Sequence, residues 1–86
     1  MNRLEIIHLR LAGTTPTGLV EDIRRAIDTG GAGPAACVYR HATLAGDLSI
    51  HLHFEYGGGE HSALGAHLAR AMKEHGMVEH TVWLEE

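Results

Sequence analysis

The stretch Leu48–Tyr56, LSIHLHFEY, decides the fold of this chain. Its apolar and polar side chains alternate over nine residues, which is the period-two pattern of a half-buried β-strand. The apolar set is Leu48, Ile50, Leu52, Phe54 and Tyr56, and the polar set is Ser49, His51, His53 and Glu55. The pattern predicts a strand with one face on a core and a second face that carries two histidines and a carboxylate.

The segments on either side of this strand predict the remaining elements. Further strands are predicted at Leu4–Leu11, Ala36–Leu44 and Val78–Glu85. Ala45-Gly46-Asp47 is predicted to be the hairpin turn before Leu48. The sequence therefore offers four strands to one sheet.

Two amphipathic helices are predicted between these strands. Thr15 is the expected N-cap of the first helix and Pro16 its first residue, and Gly30 or Gly31 is expected to end it. The second helix is expected to begin near Ser62 and to end at Gly76. The order βαββαβ predicts an α+β, ferredoxin-like plait, a four-stranded antiparallel sheet with two helices on one face.

Length and composition limit the classes of protein. The 86 residues, 44% of them hydrophobic, predict a single domain over residues 1–86. A net charge of −4 disfavours a nucleic-acid partner, and no apolar run approaches a membrane span. The N-terminal residues lack the apolar region of a signal peptide, so a cytoplasmic location is expected. The single cysteine, Cys37, excludes an internal disulfide and a cysteine-based zinc cluster.

The sheet face that the helices leave bare carries most of the candidate functional residues. Besides Ser49, His51, His53 and Glu55, strand alternation places there Leu4, Ile6, His8 and Arg10 from the first strand and Thr81 and Trp83 from the last. Since the first and third strands are central in a plait, His8 is expected beside His51 or His53. A face of this apolarity predicts a homodimer whose two bare faces stack around a partly polar cavity.

The orientation of the second strand depends on the length of its turn. A two-residue turn puts Val38, Arg40 and Ala42 on the bare face, and a three-residue turn puts Cys37, Tyr39 and His41 there. The second alternative is favoured because it also pairs Leu44 with Leu48 on the core side.

The eight histidines of the chain direct attention to acid–base and metal chemistry. His51, His53 and His8 are the candidate catalytic bases. The candidate ligand-binding residues are Ile6, Arg10, Tyr39, Glu55 and Trp83. His51 and His53 are two residues apart on one strand face, which suits a shared zinc or another divalent transition metal with His8 or Glu55 as a third ligand. The alternative is a wet polar face without metal. Structural or exposed roles are expected for four other histidines, His61, His67, His75 and His80.

Phe54-Glu55 followed by Ala63-Leu64-Gly65-Ala66-His67-Leu68-Ala69, with His75 beyond, resembles the dimeric α+β barrel superfamily and its antibiotic-biosynthesis-monooxygenase-like branch. The resemblance implies a dimer with one ligand cavity per subunit and cofactor-free oxygen chemistry. It assigns no catalytic residue to a position of this chain.

Three functions follow from these observations. The first is an enzyme, a cofactor-free oxygenase or isomerase, with a histidine-lined pocket for a small organic ligand. The second is a metal-binding module that uses His51 and His53. The third is a non-catalytic dimeric interaction domain in which Trp83 is buried between subunits.

Overall fold

A computed structural model describes residues 2–29 and 35–86 of the chain. The elements in chain order are β1 (Arg3–Arg10), α1 (Leu19–Thr29), β2 (Ala35–Arg40), β3 (Leu48–Phe54), α2 (Ala63–Met72) and β4 (Met77–Leu84). The predicted glycine cap of α1, at Gly30 or Gly31, lies outside the described residues. The order of elements is the predicted one.

The four strands form one antiparallel sheet in the order β2-β3-β1-β4. This order confirms the ferredoxin-like plait, with β1 and β3 in the centre. Neither helix in the part of the chain that the structure describes has the length and apolarity of a membrane span.

The hydrophobic core lies between the sheet and the two helices. Alternate residues of the central strands face it, namely Ile7 and Leu9 of β1 and Leu48, Ile50 and Leu52 of β3. The helices contribute Leu19 and Ile23 from α1 and Leu68, Ala69 and Met72 from α2. The alternation read from Leu48–Tyr56 is confirmed as far as Phe54, where β3 ends.

The connection between β2 and β3 is longer than predicted. β2 ends at Arg40, which pairs with Leu48, and residues 41–47 form a loop. The expected pairing of Leu44 with Leu48 is therefore wrong, and Leu44 is exposed. The His41 ring closes this loop, since its Nδ1 atom accepts hydrogen bonds from the backbone N–H groups of Thr43 and Leu44 at 3.1 and 3.0 Å. Hydrogen bonds to the His41 side chain thus stabilise the loop directly after the last residue of β2.

The helix boundaries also differ from the prediction. α1 begins at Leu19, not Pro16, because Gly18 has a φ of +84° that a helix cannot continue through. The Ser62 side chain caps α2 as expected and accepts from the N–H of Gly65 at 2.9 Å. However, α2 ends at Met72 and not at Gly76.

Candidate functional site

The helices leave one face of the sheet uncovered, and we call it the open face. Its residues form three rows across the strands, which are written in the order β4, β1, β3, β2. The rows are Glu79–His8–Ser49–Tyr39, Thr81–Ile6–His51–Cys37 and Trp83–Leu4–His53–Ala35. The register thus brings most of the predicted site residues onto one surface.

His51 lies near the centre of this surface. It pairs across β1 and β3 with Ile6, and a ring nitrogen, Nε2, lies 3.0 Å from Oγ of Ser49. The Tyr39 ring is tilted against the imidazole with the ring centroids 4.7 Å apart. Burial and the neighbouring His53 lower the pKa of His51, since both disfavour the charged ring. His51 is therefore a neutral imidazole at pH 7, able to accept a proton or a hydrogen bond.

The orientation of β2 settles which of its side chains join the face. Cys37 pairs with His51 and Tyr39 with Ser49, so the favoured alternative for these two residues is confirmed. The neighbouring Cys37 side chain raises the pKa of Tyr39 above its ordinary value. Val38 instead packs against the core.

His8 occupies a position slightly different from the expected one. Its direct partners are Ser49 on β3 and Glu79 on β4, so His51 is a diagonal neighbour and not the opposite residue. The His8 Nε2 atom lies 3.5 Å from Oδ2 of Asp47, a buried residue at the end of the 41–47 loop. His8 and Arg10 thus belong to one end of the open face.

The other end of the open face opens into a groove of about 880 Å³. Trp83 and His53 flank Leu4 there. The Trp83 side chain is 59% exposed. Its Nε1–H donates a hydrogen bond to Oγ1 of Thr81 at 3.0 Å. The remaining lining residues are Asn2, Arg3, Ala35, Phe54, Glu55, Tyr56, Leu84 and Glu85. The predicted ligand-binding residues are therefore divided: Glu55 and Trp83 line the groove, Ile6 is central, and Arg10 and Tyr39 lie toward the opposite end.

The metal hypothesis rests on His51 and His53. The two residues share the open face of β3, as predicted. Within residues 2–29 and 35–86, no group of three or more histidine, cysteine or acidic residues is arranged to hold a metal ion. Binding of a metal by this pair stays a prediction.

A buried polar cluster on the helix side of the sheet was not predicted. Glu5 is fully buried beneath α2. Its carboxylate contacts a guanidinium nitrogen of Arg3 at 3.1 Å and Nε2 of His80 at 2.5 Å, and it accepts from the backbone N–H of Ser62 at 3.2 Å. The His80 ring stacks on His61 with the centroids 3.5 Å apart. This cluster links β1, β4 and the start of α2.

The electrostatics of Glu5 reflect two opposing effects. Burial raises the pKa of the carboxyl, but hydrogen bonds from Ser62 and His80 and the charge of His80 lower it more. The net pKa lies below the ordinary value, so Glu5 is a buried carboxylate. The sequence signal for this cluster was the alternation of residues along each strand. Glu5 shares the core face of β1 with Ile7, and His80 shares the core face of β4 with Val78 and Val82.

Comparison with known proteins gives no relative on which to base a function. No protein-family model, no curated protein and no solved structure matches the chain significantly. Inferences about function therefore come from the fold and from the residues of the open face.

Proposed function

We propose that this chain forms a homodimer through the open face and holds a small organic molecule in the groove at the end of that face. The observation that carries the proposal is the position of Ile6. This residue lies on a central strand between His51 and Thr81, on the side that neither helix covers. An apolar side chain at the centre of an uncovered sheet face is stabilised when a second surface excludes water from it.

Charge favours a second copy as the covering surface. The chain carries a net charge of −4, yet the charged residues of the open face within the strands, Arg10 and Glu79, balance each other. Since His51 is neutral at pH 7, two such faces approach without the repulsion that acts between the rest of the two surfaces. The resemblance to the dimeric α+β barrel superfamily agrees with this arrangement.

The groove suits a partly apolar organic ligand. Exposed aromatic rings, Trp83 and Tyr56, lie on its walls together with Leu4 and His53. Concave sites that combine apolar walls with a few polar groups are typical of small-molecule binding. His53 lines the groove, whereas His51 lies one row away on the same face. Proton transfer by His53 is therefore the chemistry available to a bound ligand, as a cofactor-free isomerase or oxygenase requires of a general base.

Fluorescence tests the ligand proposal because Trp83 is the single tryptophan of the chain. The probe is N-phenyl-1-naphthylamine, a neutral aromatic molecule that accepts energy from tryptophan. We expect saturable probe emission on excitation of Trp83, and at least about ten-fold weaker binding in Leu4→Glu, since a buried charge is costly. The control is Ala71→Glu, a change at an exposed position of α2. Equal binding by both variants would overturn the groove as the site.

A further inference from the structure

We infer that the two-fold axis of the homodimer runs across the strands, along the row Thr81–Ile6–His51–Cys37, and that the partner's Arg10 covers the groove. The inference rests on the proposed homodimer and adds its geometry. It also makes the groove incomplete in a single chain, because one wall comes from the second copy.

The open face is more acidic at one end than at the other, since Arg10 and Glu79 balance each other at the first end and two glutamates lie at the second. Arg10 is the last residue of β1 and lies at one end. At the other end, Glu55 and Glu85 each follow directly after a strand, β3 and β4, and line the groove on either side of Asn2. Among the residues that the structure describes, neither glutamate forms an ion pair. Arg3 also lines this groove, but its guanidinium is bound to Glu5 and to the backbone carbonyl of Glu60.

Two stacked identical sheets can be related by an axis along the strands or across them. An axis along the strands keeps the strand direction, so each Arg10 lies near the partner's Arg10 and the acidic ends coincide. Juxtaposed like charges weaken an interface. An axis across the strands reverses their direction and brings opposite ends together.

Ile6 lies midway along the chain between Asn2, which precedes β1, and Arg10, which ends it. An axis across the strands at Ile6 therefore places Arg10 over the partner's Asn2, between the two glutamates. At the usual strand spacing of about 4.8 Å, each glutamate backbone is one strand away from that point. A guanidinium reaches carboxylates over this distance and forms paired hydrogen bonds with them.

The β3 and β2 residues of the neighbouring rows agree with the same axis. The large Tyr39 side chain comes to lie over the partner's Ala35, and the Ser49 hydroxyl over the partner's His53. Large residues opposite small ones allow two sheets to approach to the usual separation of about 10 Å. His51 and Cys37 lie on the axis row, so each faces its own counterpart.

Cys37, the single cysteine, reports the axis directly. With the axis across the strands, its Cα lies about 10 Å from that of the partner's Cys37, which is the separation of the sheets. With the axis along the strands, the two residues are also displaced by three strand spacings, or about 14 Å. A short cross-linker, bis-maleimidoethane, should therefore join wild-type chains at low protein concentration and should not join Cys37→Ser.

Charge reversal tests the role of Arg10. Arg10→Glu and the double variant Glu55→Arg/Glu85→Arg should each raise the dimer dissociation constant at least about ten-fold, because each places like charges at residue 10 and at residues 55 and 85 of the partner. An equimolar mixture should restore the dimer, since every end then meets its opposite. Arg24→Glu, an exposed change on α1, should leave the dimer unchanged.

The outcomes distinguish a failure of the proposed axis from a failure of the proposed homodimer. Cross-linked chains together with a restored mixed dimer support the inference. A wild-type dimer that does not cross-link, or a mixture that stays monomeric, overturns the axis and leaves the homodimer standing. A wild type that sediments as a monomer overturns both proposals.

Discussion

The Nε2 atom of His80 lies 2.5 Å from Oε2 of Glu5, which joins the last strand of the chain to the first through a buried carboxylate. The same carboxylate accepts from the N–H of Ser62, the N-cap of α2. The start of α2 is therefore held on the sheet by one charged group. Because buried charges are costly without partners, this cluster stabilises the fold only while it is complete.

Replacing Glu5 by glutamine should destabilise the protein by about 3 kcal/mol, since Arg3 and His80 then lose a buried ionic partner. The measurement is urea unfolding at pH 7, followed by circular dichroism. The matched control is Glu21→Gln, an exposed residue of α1, which should change the unfolding free energy by less than about 0.5 kcal/mol. Equal effects of the two variants would show that the cluster contributes little.

The contribution of Glu5 should depend on pH. The pKa of its carboxyl is lower in the folded chain than in the unfolded one, so the unfolded state binds more protons in acid. The stabilisation is therefore present above the unfolded pKa of about 4.3 and is lost as the pH falls through the folded value. The difference in stability between the wild type and Glu5→Gln should narrow below about pH 4, and a constant difference from pH 7 to pH 3 would contradict this origin.

Gly65→Ala should be destabilising even though alanine favours helices. A Cβ at this position would overlap Oε2 of Glu5 and lie 3.0 Å from Nε2 of His80. Because both groups are held by hydrogen bonds, we expect a loss of about 2 kcal/mol. Gly59→Ala is the control, since its Cβ would meet nothing within 4 Å. Thermal unfolding of both variants checks the prediction.

The dimer should weaken as the pH falls below about 6.5. Burial already lowers the pKa of His51 in the single chain, and cover by a second copy would disfavour the charged ring further. The dimer would then bind fewer protons than the free chains, so acid favours dissociation. Within the proposed dimer, protonated His51 would also face the partner's His51 and the nearby His53. Sedimentation equilibrium at pH 7.5 and pH 5 tests this, and a dimer of equal strength at both values would count against the packing.

In the same experiment, His51→Gln should remove most of the pH dependence. The matched control is His67→Gln, which alters an exposed histidine of α2 and should retain it. If the two variants responded identically to pH, His51 would not be the source of the pH dependence.

Elemental analysis of untagged, chelator-free protein tests the metal hypothesis. Since His51 and His53 lack a third ligand arranged with them among the described residues, we expect far less than one metal ion per chain. About one zinc, nickel or copper ion per chain, lost in both His51→Ala and His53→Ala, would instead establish a metal site.

The alternation of Leu48–Tyr56 was sufficient to predict the central strand and its two faces, because a strand of period two has one buried and one open face whatever its partners are. The order of the six elements was needed to predict the plait. The alternation also placed His51 and His53 on the open face, where β1 and β2 bring Ile6 and Cys37 beside them. The boundaries were less predictable. The positive φ of Gly18 makes α1 begin later than predicted. The side chain of His41 accepts hydrogen bonds that close the loop after β2.

The Glu5 cluster shows a different limit. Parity alone places Glu5 and His80 on the core face, but their pairing depends on the register between β1 and β4, whose residues are far apart in the sequence. The groove is similar, since it arises where the ends of four strands meet. Such features follow from tertiary packing and not from a local pattern.

Sedimentation velocity of the wild type, Ile6→Glu and Ala71→Glu tests the central claim, that the open face joins two copies of the chain. We predict that the wild type and Ala71→Glu sediment as dimers of the 9.3 kDa chain. Ile6→Glu should retain the wild-type circular dichroism spectrum but sediment as a monomer, because it buries two unpaired carboxylates at the centre of the interface. A monomeric wild type, or a dimeric Ile6→Glu, would contradict the account.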